Sequence, residues 1–428
     1  MNQDYDNLHI FILDDSDKDE YINQINNFYD EVKKANNKIP ISIIRRENRK
    51  GFKAGNINSF LKQYSDFDYF VLLDSDEIIC NDFCKECIKI FNKDKTIGIV
   101  QANHVSNRYE NKFEKYGSLG VFPGSSTILT MKNNYGIATL YGHGAMVKKE
   151  CYYKANGFPE IVSEDIGFVV DALAVGYRVE FANNIICDER FPIDYISFKK
   201  RATKWTQGNL ELLKAKFLKI LKLKINFFRK LDLILNVTSI SFNVMSFFLV
   251  ITNLVILAPL GFKYNFFFLL IIFMVFFIIT PFFNQIFYYL FIKKQNYLDA
   301  FKIIIFNYFL FPSIFATTIW TIIKSIFGVK AKFIVTPKDS QKYTVKEALQ
   351  ASRVEIIFSI LILTFYILSF IFIPSVRSVS WFWLFSVIVP SLSSPFLVLL
   401  SNLKVKKENG NKKLKKIKNK KMNLVSKH

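Results

Sequence analysis

Five apolar runs in the second half of the chain, 232–258, 265–291, 301–323, 354–374 and 380–402, are each long enough to cross about 30 Å of hydrocarbon. A helix that is apolar all round must be covered on every side by protein or by lipid, so so many of them point to a membrane. Yet the 428-residue chain is 22% charged. Two joined bodies reconcile these facts: a soluble domain over 1–190 and a membrane region over 231–402. Amphipathic interface helices over 191–230 would connect them, and a basic tail over 403–428 would follow.

Charge sets the topology. If all five runs crossed from a cytoplasmic start, the Lys-rich stretch 324–353 and the Lys-rich tail would both face outward, against the positive-inside rule. If 301–323, which contains Asn307 and Pro312, lies instead along the interface, four helices span and both basic segments become cytoplasmic. The expected location is a multi-pass protein of the plasma membrane with its soluble domain and tail inside. No signal-like segment precedes the polar N-terminal residues, in keeping with a cytoplasmic start. Net charge is +21, with eleven Lys from Lys404 onward. Because much of that excess flanks apolar runs, a bilayer with anionic lipid is the expected partner, and nucleic acid is not.

Cys80, Cys84 and Cys87 are spaced to share one face of a helix and lack a nearby His or a second Cys pair. With Cys151 and Cys187 they make five, an odd number that suits reduced thiols.

The soluble half alternates strand and helix. "LHIFILDD", "ISIIRRE" and "DYFVLLDSDEII" read as strands, "KDEYINQINNFYDEVKK" and "KAGNINSFLKQY" as helices. That order describes a doubly wound α/β sheet, with ligands at the carboxyl ends of its strands. Both acidic clusters fall there. Asp74 and Asp76, two residues apart at a strand end, suit a hard cation such as Mg²⁺ or Mn²⁺ beside a diphosphate; the same pattern also suits a solvated turn. Glu164-Asp165 is likewise open to a second reading, as a helix start capped by Ser163.

Six segments in order carry a family resemblance: "LDDSD" (13–17), "RKGFKAGNIN" (49–58), "LLDSDE" (72–77), "YGHGAMVKKE" (141–150), "VSEDIGF" (162–168) and "KRATKWTQGN" (200–209). Together they resemble the family 2 glycosyltransferases, in particular the processive, membrane-embedded branch that includes cellulose synthase and related β-glycan synthases. The resemblance covers about 15–400. It implies a GT-A-type catalytic domain followed by an all-α transmembrane bundle, and inverting transfer from a UDP-sugar to a growing polysaccharide that passes through the membrane. A lipid-linked acceptor and a single transfer are the alternative, as is an impaired truncated homologue.

The same resemblance implies the roles. Asp14 and Asp15 would contact the uracil, Lys53 and Asn56 would border the nucleotide, and Asp74 with Asp76 would flank the metal and sugar. Asp165 would be the catalytic base. The family's Q-x-x-R-W motif reads Arg201-Ala202-Thr203-Lys204-Trp205 here, keeping the aromatic face for an acceptor sugar and two cations for the diphosphate, but as a Lys where Arg would give a bidentate fork. "FIVTPK", with Phe333, Val335, Thr336 and Lys338, matches the F-x-V-T-x-K gating loop within 324–353. One departure stands at the start, where the family places a strand before the "DDS" strand with which this chain opens.

Overall fold

A computed structural model describes residues 3–34, 39–238, 290, 297–329, 341–372 and 388–405. Phe333, Val335, Thr336 and Lys338, the residues expected to form a gating loop, lie outside the described residues, as do most of the apolar runs 232–258 and 265–291.

The expected N-terminal elements are present. Strand β1 (Ile10–Asp14) pairs in parallel with β2 (Ile41–Arg45), in register Ile10↔Ile41, through helix α1 (Asp19–Lys34). That helix begins on Asp19 and Glu20 and ends on Lys33 and Lys34, each pair opposing the nearer end of the helix dipole. Helix α2 (Phe52–Gln63) follows, entered through Gly51 at φ 79°, where a Cβ would also lie 2.9 Å from Glu160.

The main sheet departs from a doubly wound one in its strand directions. It has five strands in the order β3-β6-β5-β7-β4: β3 (Tyr69–Leu72), β4 (Ile78–Ile79), β5 (Ile97–Val105), β6 (Ala145–Lys148) and β7 (Arg178–Asp188). β5–β7 is the one parallel pair of neighbours; β6 lies antiparallel between β3 and β5, and β4 antiparallel on β7, so the sheet is mixed. The β1–β2 pair forms a sheet of its own. Helix α3 (Phe83–Lys93) covers β5 with Cys84, Cys87 and Phe91, whereas Cys80 precedes the helix, correcting the expected three-cysteine face. All five thiols are unpaired, and burial pushes that of Cys84 up to about 11.

Strand direction builds the site. Because β6 is antiparallel, its first residue, Ala145, pairs with Leu72 at the end of β3 and with Gln101 in β5. The segment 141–144 before β6 therefore abuts the turn 73–77 after β3. The ends of β5 and β7 arrive at the same edge, with His104 opposite Cys187.

Helices α4 (Lys112–Tyr135), α5 (Lys149–Lys154), α6 (Glu164–Ala174) and α7 (Tyr195–Lys222) complete this half, with further helix over 227–238. Helices α8 (Tyr297–Ser313) and α9 (Phe315–Ile326) form one 30-residue element, the one described helix long and apolar enough to cross a membrane. It is more than half buried. Phe306 meets Phe113 edge-on at 5.5 Å, Tyr195 bonds Ser313 at 2.9 Å, and Lys214 donates to the Ser325 carbonyl at 3.2 Å. Helices α10 (Val345–Ala351) and α11 (Arg353–Phe372) meet at 67°, and short α12 (Val389–Leu392) and α13 (Ser394–Leu400) end the described chain. Fully buried Glu355 of α11 is held by Lys199 of α7 at 3.0 Å, an ion pair whose loss on one side would strand a charge.

Candidate active site

The turn after β3 carries the first half of the site. Lys53, reaching across from α2, donates to Asp74 Oδ1 at 2.6 Å and to the Gly142 carbonyl at 3.1 Å. Burial works against the Lys53 charge, but Asp74 outweighs it and holds the ammonium above its ordinary pKa. Glu77 accepts the Asp74 backbone N–H at 2.8 Å, which fixes the turn. Arg108 donates to the Asp76 carbonyl at 2.5 Å.

The second half comes from α6. A Cβ on Gly142, which has φ 83°, would sit 3.5 Å from the Asp165 carboxylate, so the segment that holds Lys53 also abuts Asp165. Burial pushes the Glu164 carboxyl up to about 7, aided by its neighbour Asp165, and Asp165 is raised by the same desolvation. Lys53 and Lys204 partly offset both. The Lys204 ammonium is itself lowered by burial. Ser163 stands at the N-cap but caps nothing: its hydroxyl donates to Asn209 of α7 at 3.2 Å, which corrects the capping expectation and ties α7 to the α6 start.

On α7, Arg201 lies 4.6 Å from the Trp205 ring centroid and 3.7 Å from Glu189. Trp205 is 41% exposed, leaving an aromatic face open. Thus Lys53, Asp74, Glu164, Asp165 and Lys204 are brought within electrostatic reach of one another. Asp14 and Asp15 are occupied otherwise: Asp14 accepts from Arg45 at 2.7 Å, and Asp15 takes both ends of the Arg46 guanidinium at 2.9 and 2.7 Å. Asn56 donates to the Leu13 carbonyl at 3.3 Å.

Behind the Asp74 turn lies a group that motif reading passed over. One donor atom from each of Glu77, His104, His143 and Glu189 lies within 4.8 Å of the others. His143 Nδ1 hydrogen-bonds Glu77, and the His104 and His143 rings stack at 4.8 Å. The chain has only four His, and one of these two sits between glycines in a quoted motif; that scarcity was the signal available.

The model of the glycosyl transferase family group 2 matches residues 69–292, just over half of the chain, and the chain belongs to that family. It thus carries a family 2 glycosyltransferase domain. A poly-β-1,6-N-acetyl-D-glucosamine synthase of Staphylococcus aureus (strain COL) is 27% identical over 225 residues, covering 51% of this chain and 52% of the relative, and the protein of that name from strain N315 matches equally. The chain thus spans about half the length of these curated relatives. Among solved structures, the mannosyltransferase PcManGT of Pyrobaculum calidifontis with GDP-Man and Mn²⁺ is 20% identical, covering 50% of this chain and 57% of its own, at a TM-score of 0.37. S. aureus TarS 1–349 with UDP is 13% identical, covering 55% and 63%, at a TM-score of 0.34.

Proposed function

We propose that the chain transfers a sugar from a UDP-sugar to the growing end of a polysaccharide with inversion, and that Asp165 is the base. One observation carries this reading: Gly142 joins Lys53 and Asp74, the donor-side pair, to Asp165. Lys53, Lys204 and Arg201 would neutralise the diphosphate, while the open Trp205 face would stack the acceptor sugar. Of the two acidic residues at the end of β1, Asp15 is the more exposed and the better placed for the uracil, with Asn56 at the border. The polysaccharide acceptor is suggested by the curated relatives' names.

Asp74 and Asp76 fit a divalent cation, being paired hard-oxygen donors on a turn, with Asp74 partly open to solvent. Mg²⁺ or Mn²⁺ there would add positive charge at the leaving diphosphate. Asp76→Ala is therefore expected to weaken metal-dependent UDP binding, measured by titration with and without chelator; metal-independent binding in the parent would refute it.

Proton transfer gives a further expectation. A base must be ionised, and burial raises Glu164, to about 7, and Asp165 in the same direction, so the pair keeps a proton to higher pH than free carboxylates do. The transfer rate should climb with pH to a plateau reached above the range in which a free carboxylate ionises. A rate already at its plateau where free carboxylates ionise would remove the raised pair from the base role.

For the membrane, the reading keeps four spanning helices in a plasma membrane with anionic lipid, the catalytic domain and basic tail cytoplasmic. The element Tyr297–Ile326 is tied to α4 near its start and to α7 at its end, as a helix lying along the interface would be. Phe333 to Lys338 would then reach the nucleotide as a gate. Inside-out vesicles holding the full chain, given a panel of labelled UDP-sugars, test the whole: polymer of many sugars is expected. A single sugar extracted with lipid would replace this reading with the non-processive one, and UDP binding without transfer would mean an impaired enzyme.

A further inference from the structure

The geometry points to a second cation site: Glu77, His143 and Glu189 bind one divalent transition-metal ion of the zinc and manganese class, behind the Asp74–Asp76 turn and separate from it. These side chains come from different segments, the β3–β4 turn, the segment before β6 and the end of β7, and converge on one buried point. The Glu77 side chain is 0% exposed, that of Glu189 7% and that of His143 14%.

Each carboxylate turns one oxygen to the centre and has the other held. Glu77 Oε1 faces His143 while Oε2 accepts the Asp74 N–H at 2.8 Å. Glu189 Oε2 lies 3.4 Å from His143 Nδ1, and Oε1 lies 3.7 Å from Arg201. Such outer contacts orient metal ligands. A separation of 3.4 Å is long for a hydrogen bond but equals the edge of a tetrahedron, about 3.3 to 3.6 Å for metal–ligand bonds of 2.0 to 2.2 Å. The shorter Glu77–His143 contact would open to admit the ion.

His104 supports rather than ligates. Gln101 is oriented by the Tyr141 N–H on its Oε1 at 2.8 Å, so its amide N–H donates to His104 Nε2 at 3.1 Å. The His104 proton then resides on Nδ1, which faces Glu189 Oε2 at 3.4 Å. Cys187 donates to Glu77 Oε1 at 3.4 Å and closes another side. Gly144, at φ 58°, keeps the centre compact: a Cβ there would lie 2.3 Å from His104 Nε2. One imidazole with two carboxylates favours a borderline ion; Mg²⁺ prefers all-oxygen octahedra with several waters. The ion would cross-link three segments and brace the Asp74 turn from behind.

The test uses the purified full chain, stripped by chelator and dialysed against Zn²⁺ or Mn²⁺ alone, without nucleotide, with bound metal measured by elemental analysis and unfolding temperature read in parallel. One equivalent per chain that is retained in Asp76→Ala and lost in His143→Ala and Glu189→Gln is expected. Gln101→Leu should bind about 10- to 100-fold more weakly. Parent protein that takes up no ion, or Glu189→Gln that binds as the parent does, overturns the site. Glu189→Gln preserves shape and decides alone if His143→Ala does not fold. Since no sugar nucleotide is present, failure of the donor assignment leaves this result untouched.

Discussion

Asp165→Asn is expected to lower sugar transfer by about 10² to 10⁴ while UDP binding stays unchanged. Asparagine keeps the size of the side chain and an oxygen to accept the Ile166 N–H, which Asp165 Oδ1 now accepts at 2.8 Å, so the α6 start should hold its shape. What it loses is the ability to take a proton from the acceptor hydroxyl. The neighbouring carboxylate complicates the result in an informative way. Burial raises Glu164 to about 7 and Asp165 in the same direction, so removing one charge lets the other ionise more readily. If Glu164 were the base, Glu164→Gln would carry the large loss and Asp165→Asn a small one. Rates of the two variants in inside-out vesicles decide between them, and near-normal polymer synthesis by Asp165→Asn would end its assignment as base.

Gly208→Ala should reduce transfer by about 10²-fold, the loss that a displacement of about 1 Å in a catalytic group can produce. A Cβ at Gly208 would fall 2.5 Å from Ser163 Oγ and 3.1 Å from Val162, inside the contact between α7 and the turn that leads to Glu164 and Asp165. The Ser163 turn or helix α7 must then give way, and a shift of α7 carries with it Lys204 and Trp205, which lie about one turn from Gly208. Gly124→Ala is the matched control, since a Cβ there meets nothing within 4 Å and should leave transfer unchanged. Equal rates for the two alanine variants would mean that close packing of α7 on α6 does not position the site.

Much of the first half was readable in advance because it rests on short-range chemistry. The run of β-branched and aromatic residues in "IFILD" and the acidic start and basic end of α1 act within a few residues, and they produce the strand and helix that such patterns favour. Asp74 and Asp165 were legible as carboxylates at a strand end and a helix start. Neither motif, however, carries information about strand direction. The doubly wound order does not hold at β6, a four-residue strand whose orientation follows from its pairing with Tyr69–Leu72 and Ile99–Gln101, far away in sequence. The capping role offered to Ser163 failed for a related reason: Asn209, on another helix, took its hydroxyl.

By itself the sequence determined the division into charged and apolar halves, the succession of elements through α2, and the family membership that ordered motifs carry. Each depends on residue type and spacing along the chain. Only the tertiary structure decided which side chains meet. The antiparallel placement of β6 sets Gly142 between Lys53 and Asp165 and brings His143 onto Glu77 and Glu189, partners more than forty residues away on either side. Those contacts are settled by sheet register and by the burial of charge at one edge, and periodicity along a chain cannot encode which edges will coincide.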